Sequence, residues 1–567
     1  MTETADAVVE TLESLGVEYV FGYPGGRVIE LLEALADSSI EVVRPRDERE
    51  ASVMAEMYGR LTGSPGVLTG QGPWIGSLGA IGQMEGQLAS SPMVVLTEAS
   101  ERGAYSTLAP YQQSRGDYGG LDLPSILDGI TTEHWFPRSP TETIRTVQLA
   151  FKHAIAGRPG PTAVIFDGDA ISEQVPDDPT PPVWEGAAQA RTWQSAPTDA
   201  DVEAAAEALS AAERPVVVAG NGVHAAGAYE ELQAVAEGYD AVVVTSYLGK
   251  STIPETHELA GGVIGSFSHE GANRLVSEAD TLCVVGCRLN PMDTNWQAPG
   301  FVRPDEQTIV HADIDARNAG WVYPADVGLI GDARQSLAAL ASRAPADADT
   351  GARERAENAR EDFHTSACDS EATPIKPQRA VKAVESIVDA DTIVTADSGN
   401  NRFWLLNYLQ TPAVRTYFGS GGVGGMGWAL PAAVSAAIAS DREVVAVAGD
   451  GGFSMTMNSV ETAVEYGVAP TVVIMNDTSL GMVRQMQAED GDIAGVEFQD
   501  TDFVAISEAF GAVGERVTEP SDLEPTLEAA KRRTHLPTVI DVRIDREEDM
   551  ADQLSSSFYD TVGGLHE

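Results

Sequence analysis

Short apolar runs recur along this chain, each closed by glycine or a small polar residue and followed by a segment with helical spacing. In the first third, Tyr19-Val20-Phe21, Glu41-Val42-Val43, Gly66-Val67-Leu68-Thr69, Met93-Val94-Val95-Leu96 and Thr162-Ala163-Val164-Ile165 read as strands. Such runs lack apolar–polar alternation, so they suit strands covered on both faces, and the helices between them predict a parallel sheet. A Pro- and Asp-rich stretch from Pro176 to Pro182 opens a linker that runs to about Asp199. A second unit starts with the strand Pro215 to Gly220 and closes near Thr308 to Asp315. Residues 344–378 are charged, Ala-rich and broken by Pro374 and Pro377, which predicts another linker with some helix. The last unit begins its sheet at Thr392 to Asp397. The expected architecture is α/β, with three consecutive doubly wound parallel-sheet domains at residues 1–175, 195–343 and 377–567.

A chain of 567 residues with 43% hydrophobic content can bury cores of this size. The formal charge of −50 changes the picture more. There are 86 acidic residues, and lysine occurs only at Lys152, Lys250, Lys376, Lys382 and Lys531. The acids are spread through every segment, which predicts a fold adapted to high salt, where screening quenches their repulsion. Nucleic acid is excluded as a partner, because neutralising phosphates takes clustered Lys and Arg. No run of 18 apolar residues occurs and the start lacks a basic signal-peptide head, so the expectation is a cytoplasmic protein with no membrane partner. Of the three cysteines, Cys283 and Cys287 fall in a strand pattern as small buried side chains, without zinc or disulfide spacing.

Candidate chemistry concentrates in the last unit. The apolar strand Val444 to Val447 runs into Ala448-Gly449-Asp450-Gly451-Gly452, and a second apolar strand, Val472 to Met475, ends on Asn476-Asp477. Two parallel strands joined by a helix bring Asp450 and Asp477, 27 positions apart, to one sheet edge. Their oxygens, beside the N–H groups of a glycine turn, suit a divalent cation with a diphosphate. Upstream, Gly421-Gly422-Val423-Gly424-Gly425-Met426-Gly427 lets backbone approach a planar ring, with Met426 as one bulky side chain among glycines. In the middle unit, Gly220-Asn221-Gly222 reads first as a strand-to-helix turn and only second as a dinucleotide loop.

The GDG…ND pattern resembles the diphosphate anchor of thiamine diphosphate enzymes, and the resemblance extends over nearly the whole chain. Phe21-Gly22-Tyr23-Pro24-Gly25-Gly26 matches the opening glycine turn, and Tyr58-Gly59-Arg60-Leu61-Thr62-Gly63 a family helix end. Within that frame Glu48 falls on the catalytic glutamate that shares a proton with the pyrimidine ring. The resemblance implies Mg²⁺ held by Asp450, Asp477 and the carbonyl of Ser479. It also implies cofactor contacts from Gly25, Asn400, Gly425, Met426, Gly451, Gly452 and Asp477. Asp397-Ser398-Gly399-Asn400-Asn401 departs from the family's Gly-Gln-His turn at two positions. Asn476-Asp477, Gln485…Gln487 and Gly495-Val496-Glu497-Phe498 look most like acetolactate synthases, particularly the catabolic type. The implied activity is decarboxylation of pyruvate and transfer of the two-carbon unit to a second 2-oxo acid, in branched-chain amino acid biosynthesis. The implied assembly is a homodimer or homotetramer with active sites between subunits, with a possible small regulatory subunit. Some members hold FAD or ADP in the central domain. Gln112 or Gln113, Trp74 and Met486 are the substrate-side candidates; Met486 stands where biosynthetic members carry tryptophan. The alternatives are a 2-oxo acid decarboxylase, against which stands the lack of a His-His pair, and a non-catalytic regulatory relative, against which stand Glu48, Asp450 and Asp477.

Overall fold

The structure, a computed structural model, describes residues 2–99, 112–116, 119–167, 170–268 and 270–550. It divides into two compact units. One comprises residues 1–193 together with 422–425 and 434–440; the other comprises 194–421, 426–433 and 441–567.

The first unit is built on a six-stranded sheet of β1 (Tyr19–Gly22), β2 (Glu41–Val43), β3 (Gly66–Gly70), β4 (Met93–Glu98), β5 (Glu133–Trp135) and β6 (Pro161–Phe166). Their order is β2-β1-β3-β4-β6-β5, and every pairing is parallel. The inner strands β3, β4 and β6 are buried along their full length, as their continuous apolar runs require.

The second unit carries two sheets. The first contains β7 (Pro215–Ala219), β8 (Val242–Thr245), β9 (Ala260–Val263), β10 (Thr281–Val285), β11 (Thr308–Asp313) and β12 (Val327–Ile330), in the order β12-β11-β10-β7-β8-β9. The next contains β13 (Thr392–Ala396), β14 (Tyr417–Gly419), β15 (Glu443–Gly449), β16 (Thr471–Asn476), β17 (Val513–Val517) and β18 (Thr538–Arg543), in the order β14-β13-β15-β16-β18-β17. This order is the same permutation as in the first unit. In both sheets the chain reverses its winding beside the first strand, between β1 and β3 and between β13 and β15. Ligands of open parallel sheets bind at such switch points, outside the C-terminal strand ends.

The expected fold class therefore matches the three parallel six-stranded sheets. Cys283, Cys287 and Cys368 are free and buried. Among the described residues no helix is long and apolar enough to cross a membrane.

Candidate active site

In the first unit the switch point is where chemistry gathers. Val43 ends β2 and leads to Asp47, whose carboxylate caps the helix Glu48–Thr62 by accepting the N–H of Glu50 at 2.9 Å. Glu48 is the first residue of that helix and is only 6% exposed. Burial, and secondarily the neighbouring Asp47, pushes its carboxyl pKa up. Its side chain faces the end of β3, where a Cβ on Gly70 would lie 3.5 Å from Glu48 Cγ.

Gly25 follows β1, and a Cβ there would meet Gln71 Oε1 at 3.3 Å. Gln71, just past β3, donates to Gln112 Oε1 at 3.0 Å and accepts from Trp74 Nε1 at 3.1 Å. Trp74 is nevertheless 45% exposed. Gln112 adopts a left-handed backbone, with φ 54°. Gln113 is different: it is buried, with its side-chain amide against Gly120. The structure thus gathers Gly25, Gln71, Trp74 and Gln112, and places the Gln113 amide elsewhere.

In the second unit, Gly449 pairs with Met475 across β15 and β16, so Asp450 and Asp477 emerge side by side. Asp450 opens the helix Asp450–Thr456, with the N–H groups of Gly451 and Gly452 at its positive end. Asp477 Oδ1 accepts both the N–H and the hydroxyl of Ser479, each at 2.9 Å. Burial, followed by repulsion from Asp477, pushes the Asp450 carboxyl up to about 7. Asp477 is raised as well, chiefly by burial and against the Ser479 hydrogen bonds. Asn400 donates to Gln485 Oε1 at 2.9 Å, and an added Cβ on Gly481 would meet both Asp477 and the Asn400 amide. A Cβ on Gly451 would stand 3.2 Å from the Met426 methyl, so this glycine opens the space beside that side chain. Met486 is 37% exposed, on the helix Gly481–Asp490.

One residue whose role the sequence did not disclose is Asp397, at the end of β13. Fully buried, it accepts the N–H groups of Gly427 and Trp428 at 2.9 Å each, fixing the exit of the glycine loop. Its strand-end position within the Asp397–Asn401 turn was the only available signal. The middle-sheet turn Gly220–Gly222 rests on the backbone of Gly286 and Cys287, where an added Cβ would be 2.3 to 2.7 Å away. Close backbone packing accounts for those glycines.

Three family models match the chain: the thiamine pyrophosphate enzyme N-terminal TPP binding domain over residues 2–118, the central domain over 202–340, and the C-terminal TPP binding domain over 397–542. Similarity to individual proteins runs nearly end to end. The probable acetolactate synthase large subunit of Methanocaldococcus jannaschii is 31% identical, over 96% of this chain and 92% of its own. The acetolactate synthase isozyme 3 large subunit of Escherichia coli is 32% identical, over 97% and 96%. The acetolactate synthase large subunit of Parasynechococcus marenigrum is 32% identical, over 96% and 88%. The chain belongs to the thiamine pyrophosphate enzymes, in the acetolactate synthase large-subunit family.

The residues present fit the cofactor of a thiamine pyrophosphate enzyme. Buried Asp450, raised in part by the charge of half-buried Asp477 beside it, makes a pair that suits a cation, and the glycine N–H groups beside them suit diphosphate oxygens. Among the described residues no group of three or more His, Cys, Asp or Glu could hold a metal ion. A two-carboxylate set still accords with Mg²⁺, which prefers one or two carboxylates with substrate phosphates and water.

Proposed function

We propose that this chain is the catalytic subunit of an acetolactate synthase-type carboligase, which decarboxylates pyruvate and joins the two-carbon unit to a second 2-oxo acid. The observation that carries the reading is the emergence of Asp450 and Asp477 side by side at the ends of β15 and β16, in a chain whose other cofactor-domain sheet leads to a buried Glu48. Asp450, Asp477 and the Ser479 carbonyl would hold Mg²⁺, whose charge would offset the two carboxylates and favour an anionic diphosphate there. Gly451 and Gly452 offer N–H groups to the same oxygens, and Asn400 borders them. Gly425 and Met426 in the glycine loop, and Gly25 after β1, are proposed as further cofactor contacts.

Thiamine diphosphate, when bound, supplies a carbon nucleophile and an electron sink for the departing CO₂. Glu48 holds a proton at its carboxyl oxygen more readily than an exposed glutamate does, and that is the proton it would share with the pyrimidine ring nitrogen. Gln112, held by Gln71, and the half-exposed Trp74 are proposed to contact the 2-oxo acids, and Met486 is proposed to set the size of the acceptor. The working assembly is a homodimer or homotetramer in the cytoplasm. The large-subunit designation of the relatives supports a small regulatory partner as well. FAD or ADP in the central domain is a further possibility of the family, and flavin absorbance of the purified protein decides whether FAD is there. The charge of −50 supports adaptation to high salt.

The test is product analysis with thiamine diphosphate, Mg²⁺ and pyruvate in molar KCl. Acetolactate supports the carboligase; acetaldehyde with CO₂ makes the protein a decarboxylase; absence of turnover removes pyruvate as the donor.

A further inference from the structure

The loop Gly422-Val423-Gly424-Gly425 has almost no side chain with which to hold itself. Its one side chain, Val423, is 42% exposed, and Gly424 has a left-handed backbone with φ 72°. Its conformation must therefore come from contacts made by its backbone. Those contacts lie on the helix Ala80–Ala89 of the same compact unit. Glu85 Oε1 accepts the N–H of Gly422 at 2.8 Å, and Oε2 accepts those of Val423 at 2.8 Å and Gly424 at 3.4 Å. Three successive N–H groups turned to one point make an anion-binding concavity, and hydrogen bonds to a full charge are the stronger kind. Here the anion is the protein's own carboxylate. The loop also closes on this helix sterically: an added Cβ on Gly422 would lie 3.0 Å from Leu88 Cβ, and one on Gly425 would lie 2.8 Å from Ile81 Cδ1.

A carboxylate 1% exposed needs a counter-charge, and Arg60 supplies it, with Nη2 3.1 Å from Glu85 Oε1. Arg60 Nε also donates to Glu56 Oε1 at 2.8 Å, and that oxygen accepts the Ser91 hydroxyl at 2.6 Å. One turn nearer Glu48, the Ser52 hydroxyl accepts the N–H of Gly82 at 3.1 Å. Glu48, Ser52, Glu56 and Arg60 fall at four-residue intervals on one helix, so a single buried polar stripe joins the Glu48 helix to Glu85.

We propose that Glu85 is a positioning residue of the cofactor centre, one that fixes the glycine loop and thereby places Met426, the next residue along the chain. The proposal rests on the thiamine diphosphate reading above. It assigns the loop's N–H groups to Glu85 and leaves diphosphate recognition to Gly451 and Gly452.

The test uses the full-length protein, its amide hydrogen exchange without cofactor, and thiamine diphosphate titrated with Mg²⁺ by tryptophan fluorescence. Glu85→Gln is expected to speed exchange at residues 422–424 and weaken cofactor binding on the order of tenfold, the usual effect of losing an outer-shell partner. Glu85→Asp, which keeps the charge, should recover part of both. Gly422→Ala displaces the loop while leaving the Arg60 cluster intact, and it should reproduce both effects even if Glu85→Gln does not fold. Unchanged cofactor affinity in the folded variants overturns the proposal, whether or not exchange quickens. A wild-type protein that binds no thiamine diphosphate sinks the functional reading and this role with it. An exchange difference would even then show that Glu85 holds the loop, which separates the two failures.

Discussion

Lys250 and Glu255 form an ion pair, Nζ to Oε2 at 2.6 Å, with 1% and 5% of their side chains exposed. Lys250 also donates to the carbonyl of Leu409 at 2.8 Å, and Glu255 accepts the N–H and hydroxyl of Thr411 at 2.8 and 3.0 Å. The pair thus stitches the segment after β8 to the segment before β14. Burial pulls the Lys250 pKa down against the pull of Glu255. Breaking such a pair strands a buried charge, so Glu255→Ala should cost about 3–5 kcal/mol in chemical denaturation. Lys250→Met combined with Glu255→Leu should cost far less. Equal losses in the two proteins would contradict this account.

Glu48→Gln should retain cofactor and lose turnover about a hundredfold or more, the scale of a missing proton-transfer group. The same change has a stability signature. A glutamate whose folded pKa lies above its unfolded value contributes stability fully below the unfolded value, about 4.3, and loses it as pH rises through the folded value. The melting temperature of Glu48→Gln relative to wild type should therefore be more favourable at pH 8 than at pH 5. The opposite trend would show that the Glu48 carboxylate is stabilised in place.

Asp450→Asn should weaken Mg²⁺-dependent cofactor binding strongly, and unaltered affinity would remove the proposed anchor. In wild type, metal binding needs the ionised carboxylate, while Asp450 titrates at about 7. Affinity should rise as pH passes upward through 7, with proton release on binding. Calorimetry in two buffers of different ionisation enthalpy measures that proton, and pH-independent affinity contradicts the assignment.

The net charge of −50 predicts salt-dependent folding. The Debye length falls from about 10 Å at 0.1 M to about 3 Å at 1 M. Melting temperature should climb with KCl toward molar levels. A flat profile would locate the acids where they do not repel one another.

The sheets were legible because their inner strands are buried on both faces and so read as unbroken apolar runs. Edge strand β5 was not, since Glu133-His134-Trp135 carries two polar residues in three. In the site, Asp450 and Asp477 announced themselves through local glycines and strand ends. Glu85 could not, because its partners lie up to 339 positions away and it sits in an ordinary helix. Gln112 and Gln113 were indistinguishable as neighbours. The left-handed backbone of Gln112, its bond to Gln71 and the burial of Gln113 separate them in the structure.

The helix that begins at Glu48 acts as a ruler. At 1.5 Å per residue, Arg60 stands about 18 Å from Glu48 along the axis, and each residue inserted between them turns the far end by about 100°. A single inserted or deleted residue would rotate Arg60 away from Glu85 while Ser52 still faced Gly82, or the reverse. The spacing between Glu48 and Arg60 is thus a constraint of its own, and a one-residue insertion or deletion within residues 48–60 is expected to uncouple the Glu48 end of the helix from Glu85.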